Sequence, residues 1–240
     1  MSHLDQNFWG KYFKYYDLLN ELIPYQETLK LMISKIPSGD QNIMDMGCGT
    51  GNLVKLLSNS RDDVKITGID YSEEALNIAK DKLKNKNDIN FYKVDLRDTL
   101  PFEDGVFDII LIHNVLYTIS EERRLGLIKE VLRILKKGGI VITCNLNKNF
   151  KPYNIYSSHI NKSIRNNGLI RTIFQLLKYI YPTLKIFYYN RLIAKENYFG
   201  TYKFFSKGEQ ADLFKKAGFL VKEEDVSAYA ESSYLTVLEK

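Results

Sequence analysis

The chain has 240 residues, 45% of them apolar and 26% charged, which suits one sizeable core with an insertion, or two small domains. Cys48 and Cys144, its two cysteines, make neither a CxxC nor a disulfide framework, and no apolar run approaches the ~18 residues of a membrane helix. The net charge of +5 is local: residues 146–195 hold 9 lysines and arginines and no acid, whereas 1–145 hold 19 against 21 acids and 196–240 hold 6 against 8.

The first residues, "MSHLDQNFWGKYFKYYDLL", mix acids and aromatics where a signal peptide needs a clean apolar stretch, so a cytoplasmic protein is expected. Helical period runs over residues 7–36 and ends at Pro37. Apolar runs then alternate with helical stretches. Strands are predicted at 42–47, 64–70, 89–95, 107–113 and 139–145, and helices at "NLVKLLSNS", "SEEALNIAKDKLKNK" and "SEERRLGLIKEVLRILKKGG". Ser72 and Ser120 are placed as N-caps, and Gly138-Gly139 as the stop of the third helix. Near-continuous apolar strands alternating with helices indicate an α/β, doubly wound parallel sheet. After residues 146–205, which interrupt this order, a helix is expected over 206–219. An antiparallel strand pair follows at 219–226 and 233–238.

The first strand ends in "IMDMGCGTGNL" (43–53), and "GIDYS" (68–72) ends the second. In a doubly wound sheet the loop leaving the first strand faces the ligand crevice, and the helix after it aims free N–H groups there. Gly47, Gly49 and Gly51 let a ligand lie against bare backbone. Asp70, closing the second strand, can accept both hydroxyls of a ribose. A nucleoside ligand is expected. A dinucleotide fingerprint would need G-x-G-x-x-G, and Asn52 stands where the third glycine should be. Asp45 would repel a pyrophosphate and suits a ligand carrying positive charge. A nicotinamide-dependent reductase is therefore disfavoured.

Taken in order, "MDMGCGTG", "GIDYS", "VDLRDTLPFEDGVFDIILIHNVLYTI" and "VLRILKKGGIVIT" resemble the successive motifs of the class I S-adenosylmethionine-dependent methyltransferases, closely over 40–145 and loosely over the last 35 residues. "YFKYYDLLN" resembles the lid helix of the ubiquinone and menaquinone biosynthesis-like branch. The resemblance implies a Rossmann-like seven-stranded sheet, mostly parallel with its last strand antiparallel. It also implies one domain, divided into N-terminal lid helices (1–38), a cofactor-binding core (39–145), a helical acceptor-lid insert (146–205) and a C-terminal helix and strand pair (206–240). S-adenosylmethionine would be the cofactor and S-adenosylhomocysteine the product.

Carried over residue by residue, Gly47, Cys48, Gly49 and Gly51 would cradle the methionine half, and Asp45 would help hold its ammonium. Asp70 would take the ribose, Tyr71 would flank the adenine, and Asp95 with the Leu96 amide would meet its edge. His113 would offer its carbonyl to the ammonium, and Tyr16 would close over the cofactor. Tyr12 shares the face of Tyr16 one turn earlier and is read as acceptor-binding. An aromatic stripe that only packs the helix stays open for both tyrosines.

"NVLY" (114–117) shares only its first and last residues with the Asn-Pro-Pro-Tyr motif of methyltransferases acting on nucleic-acid bases. Asn114 and Tyr117 are accordingly read as acceptor-pocket lining. Methyl transfer from a sulfonium rests mainly on holding the acceptor in line with the breaking bond, and a base is needed only for a protonated acceptor. His113 and His159 are the candidate bases, and no residues have metal-ligand spacing.

In the insert, Ile170, Ile173, Phe174, Leu177 and Ile180 recur at helical spacing, and a second helical stretch is predicted to begin at Pro182. Basic residues fall between the apolar ones, and eight tyrosines lie from Tyr153 to Tyr202. A small hydrophobic or anionic acceptor is expected. A membrane surface, an acidic carrier protein or peptide, and RNA stay open as partners, with RNA ranked last. A non-catalytic S-adenosylmethionine-binding protein is the alternative from a different class.

Overall fold

The computed structural model describes residues 6–39, 41–198 and 202–240. The five predicted runs form β1 (Gln41–Met46), β2 (Val64–Asp70), β3 (Ile89–Lys93), β4 (Phe107–His113) and β5 (Leu135–Leu146), and the terminal pair forms β6 (Leu220–Ala228) and β7 (Ser233–Glu239). They make a single seven-stranded sheet in the order β3-β2-β1-β4-β5-β7-β6, with β7 antiparallel to both of its neighbours. From β1 the chain winds outward through β2 and β3, then returns to the other side of β1 with β4. The switch point therefore lies between β1 and β4, where Ile43 pairs with Ile109 and Asp45 with Leu111.

Helices cover both faces: α1 (Gln6–Tyr16), a 3-10 turn (Asp17–Glu21), α2 (Ile23–Ser34), α3 (Asn52–Ser60), α4 (Glu73–Lys82), α5 (Glu121–Ile134) and, after the insert, α9 (Glu209–Ala217). Strand residues such as Met44, Ile110, Leu111 and Ile142 are wholly buried, as both-sided cover requires. Ser72 caps α4, its hydroxyl accepting from the Ala75 amide at 3.3 Å. Ser120 precedes α5 in an extended conformation without a side-chain cap bond.

Two expectations need correction. The helix α5 stops at Ile134, and the Gly138-Gly139 pair lies inside β5, where the register on β4 jumps from Phe107–Leu135 to Ile109–Ile140. Burial of Ile134 and Leu135 draws the chain into the sheet early, and Gly138, at φ +75°, takes up the bulge. Among the described residues the insert holds three helices, not two: α6 (Pro152–Asn167), α7 (Leu169–Lys178) and α8 (Ile180–Tyr198). Pro182 sits in the first turn of α8, where its missing N–H would have had no helical partner anyway.

The chain leaves the sheet after Leu146 and returns alongside it: the Phe205 amide donates to the Leu146 carbonyl and the Lys148 amide to the Phe205 carbonyl, both at 3.1 Å. No helix among the described residues is long and apolar enough to cross a membrane.

Candidate functional site

The loop leaving β1 is tied down by its own backbone. The Gly47 and Cys48 amides both donate to the Ile69 carbonyl on β2, at 2.8 and 2.9 Å, and the Gly51 amide donates to the Cys48 carbonyl. Gly47 has φ +74°, and a Cβ there would stand 2.3 Å from Val115 Cγ2, so neither the turn nor the packing admits a side chain. α3 starts directly after the loop and directs its free N–H groups toward it.

Two carboxylates end the adjacent strands. Asp70 spans the loop: one oxygen accepts from the Gly49 amide at 3.0 Å and the other from the Ser72 amide at 2.9 Å. Asp45 lies one strand over. They are only 6% and 3% exposed, and among the described residues neither has a lysine or arginine partner. Burial pushes Asp70 up to about 6 against the pull of its amide donors, and pushes Asp45 up to about 7, with Asp70 adding to the effect. The thiol of Cys48, buried beside them, is raised for the same reason.

An aromatic cover lies over the loop. Phe13 of α1 packs on Gly49, its ring 3.3 Å from where a Cβ would be. Tyr16 meets Tyr12, Phe13 and Tyr25 edge-on, at 5.3, 5.7 and 6.3 Å between centroids, and burial raises its phenol to about 12. The cover is fastened below: the Thr50 hydroxyl donates to Asp17 at 2.7 Å, and the Lys82 ammonium donates to Asp17, to the Thr50 carbonyl and to Asn52 at 2.7–2.8 Å.

On the β4 side, His113 is buried against Tyr25, and burial lowers its imidazole to about 4. It is neutral at physiological pH and a weak proton acceptor. Asn114 sits in the left-handed region, φ 58°; its Nδ2 is 3.2 Å from His113 Nε2, while its buried Oδ1 has no partner among the described residues. The segment after it is clamped from two sides. Asn145 accepts from the Leu116 amide at 2.8 Å, and the buried Arg124 donates to the carbonyls of Tyr117, Ile119 and Lys203.

The predicted residues thus divide. Asp45, Gly47, Cys48, Gly49, Gly51, Asp70 and Tyr16 are gathered around one loop, with Tyr71 half-buried beside Asp70. Asp95 is occupied by the Arg97 guanidinium, which holds its carboxyl below the usual range, and Leu96 is half-buried next to it. Tyr12 gives its hydroxyl to Asn190 of α8 at 2.9 Å, and Tyr117 is packed edge-on against Tyr202 and Phe204. His159 accepts from the Ile23 amide at 3.3 Å, which makes it a joint between α2 and α6. It also borders a cleft lined by Leu18, Tyr156, Leu176 and Tyr179. The sequence reading gave no role to Lys82, Asn145 or Arg124, and took Phe13 and Asp17 only as part of the lid-helix stretch. Lys82 looks like any basic residue in a last helical turn, and Asn145 and Arg124 carry no motif.

A family model described as a methyltransferase domain matches residues 43–139. The chain is 28% identical over 219 residues to a demethylmenaquinone methyltransferase of Staphylococcus haemolyticus, covering 85% of this chain and 80% of that protein. Residues 43–139 are thus a match to a methyltransferase domain, and the chain is similar along most of its length to an S-adenosylmethionine-dependent methyltransferase. A carboxy-S-adenosyl-L-methionine synthase of Campylobacter jejuni is 31% identical over 131 residues, 52% of this chain and 54% of that protein. The chain spans about half the length of several of the curated relatives it matches. A methyltransferase structure from Aquifex aeolicus superposes with a TM-score of 0.64 at 17% identity, covering 96% of this chain and 97% of that one, which shows the shared fold. S-adenosylmethionine is the cofactor of the family. The residues present fit it: the two buried carboxylates, with no basic partner among the described residues, suit a ligand carrying positive charge.

Proposed function

We propose that this chain transfers a methyl group from S-adenosylmethionine to a small hydrophobic or anionic acceptor. The observation that carries this reading is the Asp45–Asp70 pair: two carboxylates buried at the ends of adjacent strands, both held above their ordinary pKa, with no basic side chain among the described residues to neutralise them. A ligand bearing an ammonium and a sulfonium relieves that cost, whereas a pyrophosphate would add to it.

In this reading Gly47, Cys48, Gly49 and Gly51 hold the methionine half, Asp45 holds the ammonium through the field at the end of β1, and Asp70 takes the ribose hydroxyls. Tyr71, Asp95, Leu96 and the His113 carbonyl complete the cofactor side. The cofactor supplies a methyl group already activated on sulfur. Tyr16 and Phe13 exclude water from above, and Asn114 Oδ1 offers an unused acceptor beside the fourth strand. Tyr12 and Tyr117 line the acceptor side as packed aromatics. His113, neutral and of low basicity, suits an acceptor that arrives without a proton to lose.

A small apolar acceptor is supported by the relative of which the chain covers 80%, named a demethylmenaquinone methyltransferase. The positive segment 146–195 supports a negative group or surface on the acceptor side. The test is a calorimetric titration with S-adenosylhomocysteine, followed by a labelled-methyl assay on apolar and anionic acceptors. Binding that vanishes in Asp45→Leu is expected; no heat at millimolar ligand would remove the reading.

A further inference from the structure

Helix α7 is turned inside out. Ile170, Ile173, Phe174 and Leu177 recur at i, i+3, i+4 and i+7 and share one face, which in a helix packed on a core should point inward. Instead Ile170 is 72% exposed and Phe174 69%, while the buried residue of the helix is Thr172, whose hydroxyl lies 3.0 Å from that of Ser163. On α8, which follows after one residue, Tyr181, Leu184 and Tyr188, at i, i+3 and i+7, are all more than half exposed. An exposed apolar stripe on each of two successive helices marks an interaction surface. Arg171, Lys178 and Arg191 stand exposed on the same two helices, in a segment with nine cations and no acid.

We infer that the exposed α7–α8 face docks the protein on an anionic phospholipid bilayer. Charge decides the occupant. A second copy would bring its own nine cations against these, with no acid in the segment to offset them. An acidic protein surface would pair the cations but leave Ile170, Phe174 and Leu177 facing charge. A bilayer answers both needs, because acyl chains receive the apolar side chains while lysine and arginine reach back to the headgroups.

The other side of α8 meets the cover of the glycine loop. Asn190 receives the Tyr12 hydroxyl at 2.9 Å, and the rings of Tyr12 and Tyr189 lie 5.5 Å apart. A bilayer-bound α8 would thus stand between the membrane and α1. The inference concerns the surface alone and holds whatever the acceptor is, since vesicle binding is read without cofactor or substrate.

The experiment is flotation of the full chain with vesicles of phosphatidylcholine alone or mixed with phosphatidylglycerol. Binding to the mixed vesicles, absent on neutral ones and falling with salt, is expected. The Arg171→Gln/Lys178→Gln double variant should partition roughly 30-fold more weakly, at about 1 kcal/mol per lost cation. Phe174→Ser/Leu177→Ser should also weaken binding with an unchanged melting temperature, since both side chains are already in water. Failure to float with anionic vesicles, or equal binding to neutral ones, overturns the inference. So does a dimer in light scattering that Phe174→Ser dissolves, which would give the face to a second copy.

Discussion

Lys82, in the last turn of α4, places its ammonium 2.7 Å from Asp17, which opens the turn after α1, 65 residues away in the chain. The same nitrogen donates to the Thr50 carbonyl and to Asn52, so the glycine loop, the start of α3 and the N-terminal cover are joined at one point. Asp17 is 45% exposed, so the ion pair by itself adds little in water. The two further hydrogen bonds contribute about 1 kcal/mol each. Lys82→Met should lower stability by about 1–2 kcal/mol and should raise amide exchange in residues 8–16 relative to β1 and β4. Unchanged exchange there would show that the cover is held by its aromatic packing alone.

The carboxylate pair predicts a pH dependence of definite sign. Asp45 and Asp70 titrate at about 7 and about 6 in the folded protein, above the ordinary value of 3.8. Between pH ~4 and ~7 the folded chain therefore holds more protons than the unfolded one, and the contribution of these groups to stability falls as pH rises. A ligand bearing an ammonium prefers both carboxylates ionised. Its affinity should rise from pH 5.5 toward 7.5, with protons released on binding. Calorimetry in buffers of different ionisation heat measures that release. A shallower slope in Asp45→Asn than in the parent, with fewer protons released, would assign it; equal slopes would refute the assignment.

At Gly47 the turn and the neighbour act separately. Alanine there meets Val115 Cγ2 at 2.3 Å and must also hold φ +74°. The clash and the strained backbone together should destabilise by about 2–4 kcal/mol. Adding Val115→Ala removes the clashing methyl and should return part of that loss while leaving the backbone component. Denaturant melts of the single and double variants test this. If the second change restores nothing, Val115 does not set the loop's height.

How far the sequence reaches is clear from these residues. β1 to β4, α3 and the carboxylates at strand ends follow from apolar runs, glycine spacing and one acid at a fixed remove, all local signals. Thr172 and Phe174 show where locality fails. A period of 3.6 reports which side chains share a face, not which way the face points, and only tertiary packing revealed α7 as reversed. The Gly138-Gly139 pair misled for a related reason: a positive-φ glycine suits a helix stop and a strand bulge equally, and burial of Leu135 chose the bulge. The Lys82–Asp17 contact and the Asn145 clamp join residues 65 and 29 apart, beyond any motif.

Asp70 gives the last test, because its structural and ligand roles can be separated. Sequence reasoning expects Asp70→Ala to weaken cofactor binding severely with little loss of fold. The structure alters the second half of that expectation. The carboxylate satisfies the Gly49 and Ser72 amides, so alanine leaves two buried donors unpaired and should cost about 2–4 kcal/mol. Asp70→Asn retains an acceptor oxygen for one amide and should stay nearer the parent in stability. It still presents N–H where one ribose hydroxyl would donate, so S-adenosylhomocysteine should bind at least ten-fold more weakly, the weight of about one charged hydrogen bond. Titration well below both melting temperatures keeps unfolding out of the comparison. Parent-like affinity in Asp70→Asn would leave Asp70 as a loop brace and move the ribose elsewhere.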